Sequence, residues 1–303
     1  MVTTRTHGTR LLLSGAIAAS LALSMLVAVS TVLAGSLSPV GLGSAANFAV
    51  LAGTPSIENT ELTVINGDVG IHPADAVNGF PPGIINGVIY AADTVASAAK
   101  SALVTAYDDA AGRPVTANHT ALGGLTLVSG VYNAGGATLD LTGTLTLDGQ
   151  NDPNAVWIFQ ATSDLVTASA SSVILENEAQ ACNVFWQVTS SASLGSGSTF
   201  VGTIMALASI TMADDVTVDG RALARNGTVT LINDTITSST CTPTTPTAPG
   251  GGTSGSPVIS QLPNAAYFDA DPVTSGSLIV VFGLIAMLSA FMIVAVTRSR
   301  VRR

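Results

Sequence analysis

Between residues 185 and 237 the chain repeats itself with a period that few folds accept. Ala192-Ser193-Leu194, Ile210-Thr211-Met212 and Val229-Thr230-Leu231 recur at steps of 18 and 19 residues. A second set follows each of them: Ser198-Thr199-Phe200, Val216-Thr217-Val218 and Asp234-Thr235-Ile236. Alternate side chains of a strand face opposite ways. The flanking residues of the first set therefore read as inward, and Ser193, Thr211 and Thr230 as outward. A repeat of this length, made of short strands, is what one coil of a β-solenoid needs. Stacked coils hold equivalent residues ~4.7–4.9 Å apart. The expected columns are Ser193/Thr211/Thr230 and Thr199/Thr217/Thr235. Val166 and Ser172 stand where a threonine column would continue into a fourth coil, and they weaken it.

The N-terminal half carries the same kind of signal less regularly. Asn66-Gly67 and Asn86-Gly87 interrupt apolar strands and mark turns. Phe80-Pro81-Pro82-Gly83 is another turn. Residues 91–112 change period: Ala91, Val95, Ala98, Ala102, Ala106 and Ala110 fall at helical spacing. Alanine has the best helix propensity, and Gly112 with Pro114 ends the segment. At ~1.5 Å per residue such a helix is ~30 Å long, about the height of six stacked coils. The expectation is one long helix along the solenoid axis. Strands resume over 125–132, 138–147, 155–160 and 165–175.

The ends of the chain differ from its middle. Arg5 and Arg10 precede an apolar run, 11–33, that finishes Val32-Leu33-Ala34. This reads as a signal peptide over 1–34, with an uncleaved signal anchor as the alternative. Residues 242–277 are a spacer that opens rich in Thr, Pro, Gly and Ser. Residues 278–297 are twenty uncharged residues, enough to cross a bilayer core of ~30 Å; the alternative is a buried core helix. Arg298, Arg300, Arg302 and Arg303 follow and predict a cytoplasmic C-terminus over 298–303. The reading is an exported, cell-surface, single-pass membrane protein, held to the lipid bilayer by its C-terminal transmembrane helix.

Between those ends only Lys100, Arg113, Arg221 and Arg225 oppose nineteen acids, a net charge of −15. Such a surface repels nucleic acid and anionic head groups. The two cysteines, Cys182 and Cys241, bracket the three regular coils. In an exported chain they pair as one disulfide, with two free thiols as the alternative.

Several segments together resemble the microbial ice-binding proteins built on a discontinuous β-solenoid with a helix alongside. They are Asn66-Gly67-Asp68-Val69-Gly70, Gly79-Phe80-Pro81-Pro82-Gly83, Ala106-Tyr107-Asp108-Asp109-Ala110-Ala111-Gly112-Arg113, Leu125-Thr126-Leu127-Val128-Ser129-Gly130-Val131-Tyr132, Val156-Trp157-Ile158-Phe159-Gln160, Ala181-Cys182-Asn183-Val184-Phe185-Trp186-Gln187-Val188 and Gly220-Arg221-Ala222-Leu223-Ala224-Arg225. The similarity covers about residues 42–237. It implies a mostly β, right-handed, discontinuous parallel β-solenoid over 35–241, three-faced, with non-sequential coil order. It also implies an ice crystal surface as partner, adsorbed through one flat face.

Threonine fits that role, since its stiff β-branched side chain presents a methyl and a hydroxyl together. A preference for threonine in strands explains a single column equally well. Ser193, Thr199, Thr211, Thr217, Thr230 and Thr235 are the candidate ice-contacting residues; the alternative is a structural or adhesive surface module. An enzyme is not expected. His7 belongs to the leader, and His72 and His119 sit in no nucleophile or metal motif. No catalytic residue, metal or cofactor is assigned, and the domain is expected to be monomeric.

Overall fold

The computed structural model describes residues 37–242. The leader 1–34, the apolar 278–297 stretch, the basic tail and all but the first residue of the 242–277 spacer lie outside them. Among the described residues no helix is long and apolar enough to cross a membrane.

Short parallel strands stack into coils with three faces. The first face runs, in space, Ala117–Asn118, Gly130–Asn133, Trp157–Ala161, Val184–Val188, the later residues of Thr199–Ala206 and of Thr217–Ala224, Phe48–Ala52, Asp68–Ile71 and Ile89–Ala91. The second runs Leu139–Leu141, Leu165–Thr167, Ala192–Leu194, Ile210–Met212, Val229–Ile232, Ser56–Thr60 and Ala76–Asn78. The third is built from Thr126–Leu127, Thr144–Asp148, Ser172–Glu176, the opening residues of Thr199–Ala206 and Thr217–Ala224, Thr235–Thr237, Val64–Asn66 and Ile84–Asn86.

The order is discontinuous. The last coil, 221–237, pairs with the first, 48–66: Ala222 with Val50, Thr230 with Glu58, Thr235 with Val64. The chain thus builds one end of the stack, travels to the other end, and returns to close on its own beginning. The travelling segment is the helix Thr94–Gly112. Its side chains reach successive coils: Lys100 Nζ donates to the Ala224 and Arg225 carbonyls, the Tyr107 hydroxyl to Val188 O, and Gln160 Nε2 to Ala110 O. Its length of ~28 Å matches the six rungs, ~29 Å, from Ile89–Ala91 to Trp157–Ala161.

The helix begins three residues later than its alanine pattern suggests, because Asp93 caps it and accepts from Ala96 N at 2.8 Å. Its buried stripe is Ala96, Ala99, Leu103, Ala106, Tyr107 and Ala110. Ala91, Val95 and Ala98 are exposed and Ala102 is half-buried. An alanine-rich helix offers several apolar stripes of similar quality; Leu103 and Tyr107, the large residues, decide which one is buried.

Within the coils the core is graded by size. Tyr132, Phe159 and Trp186 are register partners. Their rings stack at centroid distances of 5.6 and 4.0 Å, and Phe200 adds 4.8 Å. The same column continues as Ile204, Ala222, Val50 and Val69. Both tryptophan N–H groups are satisfied inside, by Leu127 O and Val201 O. A second core lies between the first face and the helix. It includes Phe48, Leu51, Ile158, Phe185, Met205 and Leu223.

The corner from third to first face needs glycine. Gly202 and Gly220 are register partners at φ 106° and 155°. A Cβ on Gly220 would stand 1.9 Å from Gly202 O. Asn66-Gly67 and Asn86-Gly87 make the same corner two and three coils further on, so these turns bend a coil rather than close a hairpin. Cys182 and Cys241 form the expected disulfide, Cα–Cα 5.4 Å, across a separation of 59 residues. Beside it, buried Arg221 donates to Ala46 O and Ser239 O at 3.0 and 2.8 Å. It ties the entry segment to the exit segment.

Gly220→Ala is expected to lower unfolding free energy by roughly 2–4 kcal/mol, since it adds both a clash and a disfavoured φ; denaturant titration measures it. Replacing Cys182 and Cys241 by serine together is expected to cost roughly 4 kcal/mol for a loop of this length. An unchanged denaturation midpoint would refute that.

Candidate functional site

The two predicted columns exist, in register, but on different faces. Ser193, Thr211 and Thr230 align on the second face. Thr199, Thr217 and Thr235 align on the third. Each coil turns between its two hydroxyls, through Gly195-Ser196-Gly197-Ser198 in one coil and Ala213-Asp214-Asp215-Val216 in the next.

The second face makes a poor array. Its strands are mostly three residues long and show one outward side chain each. Along the stack that column reads Asp140, Val166, Ser193, Thr211, Thr230, Glu58, Asn78. Carboxylates flank the hydroxyls at both ends. Thr230 is half-buried, and Glu58 is engaged by Asn78 Nδ2 at 2.9 Å. Hydrogen bonds from Ser56 and Asn78 hold the Glu58 carboxyl below its usual value.

The third face is larger, and its carboxylates stand off its central column: Asp148 and Glu176 pair in register at the far end of their strands. Its central column runs Thr144, Ser172, Thr199, Thr217, Thr235, Val64, Ile84. Five successive hydroxyls are followed by two apolar side chains. A second column stands two residues along each strand: Thr126, Thr146 and Ile174 at one end, and Asp219, Thr237, Asn66 and Asn86 at the other. Eight rungs give ~34 Å of length. Asp219 is the one ionisable group in these columns; burial lifts its carboxyl above the usual value while Arg221 pulls it down.

Neighbouring residues fix where these side chains point. Thr144 and Ser172 share a hydroxyl hydrogen bond of 2.9 Å. Asn86 Nδ2 donates to Asn66 Oδ1, and Asn66 Nδ2 to Thr237 Oγ1, at 2.8 and 3.1 Å. Asp234, next to Thr235, is 1% exposed and joins three rungs. Its carboxylate accepts from Val216 N at 2.9 Å and Ile232 N at 2.8 Å, and its own N–H donates to Thr63 Oγ1 at 3.0 Å. Val216 and Thr63 adjoin Thr217 and Val64, so Asp234 pins the middle of the central column. Burial is the main cause that pushes its carboxyl up to about 7; the two amides oppose it, and Asp214 and Asp215 add to it.

Among the described residues no group of three or more His, Cys, Asp or Glu could hold a metal ion. The hydroxyl columns line an open face, not a cleft. The class these features define is a β-solenoid that presents rows of register-locked side chains on an extended open face.

The family model described as Ice-binding-like matches residues 50–237, and the chain belongs to that family. It is 47% identical over 193 residues to an ice-binding protein of Nostoc sp. strain HG1, spanning 63% of this chain and 71% of that protein. It is 37% identical over 214 residues to one from Flavobacterium frigoris strain PS1, spanning 65% and 76%. Among solved structures, an ice-binding protein from an Antarctic biological consortium superposes with TM-score 0.66 at 43% identity, over 68% of this chain and 93% of that one. The ice-binding protein of the ascomycete Antarctomyces psychrotrophicus gives 0.65 at 39% identity, over 67% and 100%.

Thr126, Thr144, Thr146 and Thr237 do not stand out in the sequence as part of an array. The strict alternation of residues 138–147 showed which side chains share a strand face. Their column was hidden because Thr144 and Ser172 lie 28 residues apart, outside the 18-residue period.

Asp234 carries a pH prediction. Its folded value, about 7, exceeds the ordinary 3.8, so the native state holds a proton that the unfolded chain releases. Stability from this group is complete below about pH 4 and is lost as pH rises through 7. Melting temperature is therefore expected to fall from pH 5 to 7.5, and Asp234→Ala to flatten that slope. A wild-type melting temperature that rises across this window would refute the assignment.

Proposed function

We propose that this chain binds ice through its third face, with Thr144, Ser172, Thr199, Thr217 and Thr235 as the central contacts. The observation that carries the reading is the unbroken, uncharged five-member hydroxyl column of that face, in a chain belonging to the Ice-binding-like family. Each threonine offers a methyl and a hydroxyl on a stiff side chain, repeated every ~4.8 Å by the backbone ladder. Ordered water can bridge such a row without the competing hydration of a charged group. Val64, Ile84 and Ile174 extend the face with apolar surface that gains by leaving liquid water. No bond is made or broken, and no cofactor is needed.

The reading extends to place. The domain acts outside the cell as a monomer, carried on the 242–277 spacer and anchored by the apolar 278–297 segment with Arg298, Arg300, Arg302 and Arg303 inside. The Cys182–Cys241 disulfide suits an oxidising compartment. From such an anchor, the face would protect the cell boundary or hold cells to ice.

Thermal hysteresis and recrystallisation inhibition of residues 35–277 test the proposal. Thr217→Tyr puts a bulky ring in the central column and is expected to abolish most of the activity with circular dichroism unchanged. Thr211→Tyr on the second face is expected to leave it within about twofold. The opposite pattern would move the site to the second face. Absence of activity in the unaltered protein would favour a structural or adhesive module.

A further inference from the structure

The domain has four basic side chains, and two of them meet in one pocket on the helix side, away from the third face. A cavity of about 250 Å³ is lined by His72, Ser97, Lys100, Ser101 and Arg225, with Pro73 and Val104. No carboxylate lines it, in a domain where acids outnumber bases seventeen to four. His72 follows the strand Asp68–Ile71, and Arg225 follows Thr217–Ala224. Ala52 pairs with Ile71 and Leu51 with Leu223. Gly53 therefore occupies the rung between His72 and Arg225, which stand two rungs or ~10 Å apart with no side chain between them. The helix lays Ser97, Lys100 and Ser101 over that gap.

We infer that this pocket is a binding site for a tetrahedral oxyanion, phosphate or a phosphoryl group, held by the Lys100 ammonium, the Arg225 guanidinium, the His72 imidazole and the Ser97 hydroxyl; the Ser101 hydroxyl donates to Ser97 O at 3.1 Å. Lys100 Nζ has three donors. Two go to the Ala224 and Arg225 carbonyls, and the ammonium has no carboxylate partner among the described residues. Arg225 pairs through one nitrogen with exposed Asp108 and lies over the Tyr107 ring at 4.6 Å, which fixes its plane. A largely buried ammonium beside a guanidinium is unfavourable without a counter-charge. Burial first, and Arg225 second, push Lys100 down to about 8. An anion among these donors would supply the counter-charge that Lys100 lacks and an acceptor for its third proton. The two carbonyls tether Lys100 to a strand end but bring no counter-charge, and no salt bridge supplies one among the described residues.

Lys100 is the only lysine in the chain, so lysine labelled with ¹³C at Cε reports on this pocket alone. The full chain, purified in a non-ionic detergent, is titrated with inorganic phosphate at constant ionic strength set by sodium chloride. The expected result is a saturable Cε shift, with the Lys100 pKa raised by about one unit. His72→Gln and Arg225→Gln should each weaken the apparent affinity at least fivefold, with melting curves confirming the fold. Glycerophosphoglycerol in place of phosphate identifies the source. Saturation by both ligands points to a phosphodiester of a lipid head group or polymer, and saturation by phosphate alone to the free anion. A Lys100 pKa identical in phosphate and chloride, a response linear in phosphate, or an affinity unchanged in both variants overturns the proposal.

Discussion

Every outward side chain of this domain is positioned by parallel backbone pairing between one coil and the next. The pairing is unforgiving, because a slip of one residue would send each inward side chain outward. The register is held where the coil bends. Gly202 against Gly220 leaves no room for a Cβ, and Asp234 binds amides from two strands in adjacent coils while its own N–H reaches a third coil. The aromatic stack of Tyr132, Phe159 and Trp186 sets the same register from inside. A straight row of threonines is therefore a consequence of the core and corners, and the threonines themselves contribute little to it.

Charge is distributed with the same economy. Arg221 joins entry and exit segments, Arg225 reaches Asp108 on the helix, Arg113 pairs with Asp109 and donates to Ser38, and Lys100 grips the end of a strand. All four bases of the domain thus lie on the helix side or beside the disulfide. The third face is left without a cation, and its central column without any ionised group. The proposed ice-binding role gains from that, because an ammonium or guanidinium organises its own hydration shell.

The coil architecture was legible because residues 185–237 repeat at steps of 18 and 19 residues, and the inward pairs Ala192/Leu194, Ile210/Met212 and Val229/Leu231 are all buried. The same regularity hid the division between faces. Ser193 and Thr199 look alike as hydroxyls between apolar or small neighbours, and only the bend at residues 195–198 separates them. Upstream, loops such as 149–156 stretch the period to 28 residues, so Thr144 could not be aligned with Ser172 by counting. The helix was recognised by composition, but its phase was misread, since alanine on every side gives periodicity little contrast. Asp234 had no signature beyond an acid in a turn; its role depends on Thr63, 171 residues away in sequence.

The closure of the last coil on the first has a consequence for how the chain is made. Residues 48–66 emerge early from the ribosome, yet one of their two neighbours, residues 221–237, is almost the last part of the domain to appear. Until then a first-face strand, Phe48–Ala52, and the third-face strand Val64–Asn66 each present an open edge to solvent. An open parallel edge is an invitation to other chains. The stack has no natural stopping point short of completion, so a truncated chain would lack the seam and expose both ends at once. Closure of the seam is in that sense a late event, which waits for residues 221–237.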